Sequence, residues 1–125
     1  MLDSFQLTDS AVSQTATATT TDHGKLVTGK VYAIHLDISD SSDLDVVIAS
    51  VAAAGRPATT YYTKENVTAD AWIYPRTLAQ TTAGAATTED QAVALPIMSQ
   101  VVRLSCSNAT GAAQTLTATV VYERD

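Results

Sequence analysis

A chain of 125 residues with 46% hydrophobic content is long enough to bury one core. Thirteen acidic side chains against seven basic ones give a net charge of −6, and no basic run exists to neutralise a phosphate backbone, which argues against nucleic acid as a partner. Charged residues make up only 16% of the chain, against roughly 25% in ordinary soluble domains, so a surface of Thr, Ser and Ala can be covered by another protein with few ions to desolvate.

The chain starts Met1-Leu2-Asp3-Ser4-Phe5, without the basic and apolar stretches of a secretory signal. No apolar run approaches the ~20 residues of a membrane span, so no membrane role is expected. Residues 1–29 are rich in Ser and Thr and read as a strand or arm packing on the domain or on a neighbour, with residues 30–125 as the core. Within the first part, the alternation from Val12 to Thr19 predicts an exposed or edge strand over 12–20. Asp22-His23-Gly24 is then a turn.

Val31 to Ile38 is the clearest strand. Its period of two groups Tyr32, Ile34, Leu36 and Ile38 on one face and Ala33, His35 and Asp37 on the other. Leu44 to Ala49 follows after an acidic turn, with Leu44, Val46 and Ile48 inward, and the two strands read as a hairpin. Residues 52–57 read as a loop, Thr59 to Lys64 as β-favouring, and Trp72-Ile73-Tyr74 as a short element stopped by Pro75. Thr77 to Gln91 is a low-charge Thr/Ala/Gly loop. Two strands, Gln100 to Cys106 and Thr115 to Tyr122, close the chain around a turn at 107–112, with Leu116, Ala118, Val120 and Tyr122 facing the core. No stretch of ten residues carries a helical period. The expected fold is all-β, a single-domain antiparallel β-sandwich or jelly roll.

The chemistry offered by this pattern is sparse. Asp37, Asp40, Asp43 and Asp45 crowd one turn, but they lack the glycine and distal glutamate of a helix-loop-helix calcium site, and a solvated acidic turn explains them. His35 and Asp37 share a face with no nucleophile spaced to join them. Cys106, the single cysteine, reads as a buried apolar side chain. No enzyme activity and no cofactor are expected. Tyr61, Tyr62, Trp72 and Tyr74 read as core or interface anchors ahead of a sugar platform, and a buried Trp72 would cost roughly 3 kcal/mol or more on truncation.

The segment from Asn66 to Arg76 resembles small virion proteins of tailed bacteriophages through Thr68, Asp70, Trp72, Tyr74, Pro75 and Arg76, followed by a Thr/Gly-rich loop and the strand pair Val101–Cys106 and Leu116–Tyr122. That resemblance covers roughly residues 25–124. It implies a β-rich decoration (cement) or minor head protein on the capsid exterior, made in the host cytoplasm, dimeric or trimeric, with the major capsid protein and itself as partners. Tyr61, Tyr62, Trp72, Tyr74 and Arg76 are then the expected interface residues. A carbohydrate- or receptor-binding β-sandwich on a virion is the alternative, distinguished by whether Tyr61, Tyr62, Trp72 and Tyr74 are coplanar and exposed, which favours sugar, or buried, which favours structure.

Overall fold

The computed structural model describes residues 1–10, 12–39, 43–78, 92–110 and 114–124. Two antiparallel sheets pack face to face. The first runs in the order β1 (Leu2–Asp9), β11 (Leu116–Arg124), β3 (Val27–Ile38), β6 (Ala71–Ile73), with β9 (Pro96–Gln100) also on β3. The second runs β2 (Thr19–Asp22), β10 (Val102–Ser107), β4 (Leu44–Ser50), β5 (Thr60–Val67). A small third pair joins β7 (Arg76–Leu78) to β8 (Ala92–Ala94). With β6 and β9 counted as one interrupted strand, this order is that of a jelly roll, in which almost every connection crosses between the sheets. All described residues lie in strands, turns or irregular segments; no helix among them is long and apolar enough to cross a membrane.

The strands form because apolar β-branched and aliphatic residues recur at period two and meet across the sandwich. Val31, Ile34 and Leu36 from β3 and Leu116, Ala118 and Val120 from β11 line the first inner face. Leu44, Val46 and Ile48 from β4 and Val102, Leu104 and Cys106 from β10 line the second. Burial raises the Cys106 thiol to about 12, helped by the nearby carboxylate of Asp9, which suits a core side chain and not a nucleophile.

The structure corrects several expectations. Val31–Ile38 and Leu44–Ala49 do not form a hairpin: β3 and β4 lie in opposite sheets. The last two strands are split between the sheets in the same way. A short polar link looks identical in sequence whether it closes a hairpin or turns a corner. Tyr32 is not a core residue. A bulge in β3 opposite Val121 and Tyr122 lets one extra residue into the strand, so Val31 takes the inward phase and Tyr32 is 46% exposed. In the N-terminal part, residues 12–18 bend instead of extending, and the strand there starts at Thr19. The first strand lies earlier, at β1, and pairs with β11 along its whole length. The predicted loop at 77–91 begins as β7, and its residues 79–91 lie outside the described residues.

The free edge of β3 is shared by two partners in series. β9 pairs Val27 to Lys30, and β6 pairs Ile34 to Leu36. Between them the chain leaves the sheet at Pro75, pairs β7 with β8, and returns at Leu95, whose carbonyl accepts from the Val31 N–H at 2.9 Å. The gap left in the ladder is filled by a side chain. Arg76 Nη1 donates to the Tyr32 carbonyl at 3.0 Å, to Pro75 at 2.6 Å and, more weakly, to Val31 at 3.5 Å.

Candidate binding surfaces

The outer face of the first sheet carries most of the exposed aromatic surface of the described residues. Trp72 and Tyr74 are each 57% exposed and Tyr32 is 46% exposed. Tyr32 and Tyr74 meet edge to face at 6.3 Å, and the Arg76 guanidinium sits 5.8 Å from the Tyr32 ring centre. The indole of Trp72 tilts against the His35 imidazole, with centroids 4.7 Å apart. This contact is set by register, because His35 and Trp72 are directly paired across β3 and β6.

The same register extends the site away from the rings. Gln6 pairs with Thr119 and Thr119 with His35, so Gln6, Thr119, His35 and Trp72 form one row across four strands. The Gln6 amide donates to the Thr119 hydroxyl at 3.3 Å. One pleat along, Thr8, Thr117 and Asp37 form a second row, with the two threonine hydroxyls 3.2 Å apart. Donors and acceptors therefore lie on a lattice of about 5 Å by 7 Å, the spacing of strands and of same-face residues, beside a bare indole.

The outer face of the second sheet is different in kind. Its central row is Thr20, Ser105, Val47 and Thr63 across β2, β10, β4 and β5, with no ring and no charge. On β2, β10 and β4 the charges that border it are engaged, while Lys64 and Glu65 of β5 are exposed. Arg103 clamps Asp22 with two bonds, Nε to Oδ1 at 2.6 Å and Nη2 to Oδ2 at 3.0 Å, which holds the Asp22 carboxyl below its ordinary value. Asp45 accepts from the Asn66 N–H at 3.1 Å and the Asn108 amide at 2.8 Å.

The five expected interface residues thus divide. Tyr61 is buried, and its hydroxyl donates to the Pro96 carbonyl at 2.8 Å, tying β5 to β9 across the sandwich, so it offers nothing to a partner. Tyr62 is partly buried against the core. Arg76 is spent on the backbone at the gap. Trp72 and Tyr74 stay more than half exposed, so of the two expected roles for Trp72, core packing or interface anchor, it is not a core side chain. Tyr32 and His35 complete the cluster; the bulge that exposes Tyr32 leaves no mark in the sequence. Of the acidic turn, Asp37 is exposed on the first sheet and Asp45 serves the second, while Asp40 lies outside the described residues. Among the described residues no three His, Cys, Asp or Glu side chains converge as metal ligands.

No protein-family model and no curated protein matches the chain. Among solved structures, FLHE is similar at 8% identity and a TM-score of 0.46, with 98% of each chain covered. A serine protease of Aeromonas sobria is similar at 12% identity and a TM-score of 0.40; the match covers 98% of this chain and 27% of the protease. The same protease in complex with its chaperone (ORF2) gives 12% identity and a TM-score of 0.41 over 100% of this chain and 27% of that one. This chain therefore spans about a quarter of the protease. These likenesses are remote.

Proposed function

We propose that this protein is a non-enzymatic structural component of a phage virion, binding the outside of the major capsid protein shell as a decoration protein. The observation that supports docking is the quiet outer face of β2-β10-β4-β5. Covering Thr20, Ser105 and Val47 desolvates few ions, because Asp22, Arg103 and Asp45 already have partners, while the exposed Lys64 and Glu65 of β5 lie at one edge of the face. The identity of the partner rests on the resemblance of the Thr68–Arg76 segment and the final strands to small virion proteins of tailed bacteriophages.

In this reading the mechanism is thermodynamic. A protein that binds only the assembled, expanded shell stabilises that state by mass action. As a dimer or trimer it bridges capsomers and gains avidity from individually weak contacts.

The test is co-sedimentation of the purified protein with expanded, undecorated capsids, with its mass measured by light scattering. Saturable binding that raises the disruption temperature of the shell is the expected result. Val47→Glu or Ser105→Arg, each placing a bare charge on the quiet face, should abolish it while leaving the protein folded. No saturable binding by the wild-type protein refutes the proposal.

A further inference from the structure

We propose that the outer face of β1-β11-β3-β6 is a binding site for a neutral carbohydrate, with Trp72 as the stacking platform and Asp37, His35, Thr117 and Thr119 as the groups that read hydroxyls. This reading does not depend on shell docking, which uses the opposite sheet.

Size is the first argument. Aromatic side chains offer about 150–250 Å² each, so three rings about half exposed present on the order of 300 Å². A stable protein interface covers about 800 Å² on each partner. The bare apolar surface is too small for a protein and of the right order for one or two sugar rings. Composition is the second argument. A pyranose has an apolar face of C–H groups and a rim of hydroxyls, each both donor and acceptor. An indole takes the former. The latter need acceptors and donors held at fixed spacing nearby, and the rows Thr119–His35–Trp72 and Thr117–Asp37 supply a hydroxyl, an imidazole and a carboxylate in strict register.

Rigidity is the third argument. Trp72 sits on a paired strand between two pinned points: the Asp70 carboxylate accepts the Ile38 N–H at 2.8 Å on one side, and Arg76 holds the Tyr32 carbonyl on the other. A platform ordered before binding loses little entropy when a ligand arrives. Charge selects among sugars. Asp37 and Asp70 lie two residues along from the His35–Trp72 pair, on the same side of it, and the chain carries a net −6, so sialylated or sulfated glycans are disfavoured and neutral hexoses favoured.

Trp72 is the single tryptophan of the chain, so its fluorescence reports this site without a label. The full-length protein is titrated with neutral oligosaccharides built from glucose, galactose and mannose, with sialyllactose as the acidic comparison. At least one neutral series should shift the emission saturably, and sialyllactose should not. By calorimetry, Trp72→Ala should weaken that binding roughly ten-fold or more, and Asp37→Asn should weaken it with the indole in place. Both variants should sediment with capsids as the wild type does, so that a failure of shell docking and a failure of sugar binding remain separate results. The proposal is overturned if no neutral glycan shifts the emission, or if binding survives Trp72→Ala. It is equally overturned if Trp72→Ala removes capsid binding, which would make this face a protein interface.

Discussion

Replacing Gly29 with alanine tests how tightly the N-terminal end of β3 is held. At this point β3 has a neighbour on each side, with Arg124 of β11 and Ile97 of β9 opposite Gly29. A Cβ built on Gly29 would lie 2.2 Å from the Glu123 carbonyl oxygen and 3.1 Å from both the Glu123 carbonyl carbon and Tyr122 Cδ2. The nearest obstacle is backbone, so it cannot rotate away; relief requires β11 to move by about an ångström against its pairing with β1. Overpacking of this kind costs about 1–3 kcal/mol, and the distorted ladder places Gly29→Ala at the upper end. For a domain of this size that is a fall in Tm of about 10 °C. Thermal unfolding followed by circular dichroism measures it, and two other glycines serve as controls. Gly24 has nothing within 4 Å of its virtual Cβ, so Gly24→Ala should be nearly neutral. Gly55 also has open space but a φ of +72°, so Gly55→Ala isolates the torsional penalty, about 1 kcal/mol. If Gly29→Ala melts within 1 °C of the wild type, the steric argument is wrong and β11 is free to yield.

Other outcomes follow from the same structure. Leu104→Ala, at a fully buried site on a central strand, should cost about 2–5 kcal/mol in urea unfolding. Trp72→Ala should by contrast change stability by about 1 kcal/mol or less, because most of its side chain faces solvent. Arg76→Ala should cost about 1–2 kcal/mol by stripping donors from the Tyr32 and Pro75 carbonyls, and hydrogen exchange should quicken around Val31 and Tyr32 first. Alkaline pH should destabilise the fold. The Cys106 thiol is raised in the folded state from 9.0 to about 12, so its contribution is complete below pH 9 and is lost as pH rises toward 12. Burial raises the Tyr61 phenol in the same direction. Cys106→Ala should flatten the fall of the urea midpoint across that window. At the acid end, the Asp22 carboxyl is depressed by its bonds to Arg103, so its contribution is present above pH 3.8 and is lost as pH falls below it. The pair is exposed, so that loss should be on the order of 0.5 kcal/mol and vanish in high salt.

How much of this was legible in the sequence follows from what period two can encode. Alternation places the inward residues of β4 and β11 correctly, because an inward phase depends on one strand alone. It cannot assign strands to sheets, because the links at 39–43 and 108–115 are polar in sequence, as hairpin loops are, and nothing local distinguishes a corner. β1 went unread although Phe5 and Leu7 alternate with Gln6 and Thr8. Its next inward position is Asp9, a buried carboxylate bonded to the Thr19 hydroxyl, and a charge there breaks the apolar pattern. Tyr32 was misplaced for a different reason: a bulge changes phase without changing composition. For the candidate site, the resemblance drew attention to Trp72, Tyr74 and Arg76. Only the register shows that the first two face solvent beside His35 while the third completes a broken ladder.

The pairing of β1 with β11 has a kinetic consequence. Leu2 lies opposite Glu123, so the outer seam of the first sheet, between edge strand β1 and β11, joins residues separated by nearly the whole chain. Closing so long a loop is paid in entropy before any contact rewards it, and chains dominated by such pairings fold slowly, in about milliseconds to seconds. Until that seam forms, β11 offers one side of its ladder to any strand at hand, including another copy of β1. The Arg124 N–H donates to the Met1 carbonyl at 3.0 Å, so the two ends lie side by side. A short peptide joining them, with new ends cut at the turn around Gly55, would convert the most distant pairing into a local hairpin. Such a permutant should keep the fold, fold faster and aggregate less on refolding.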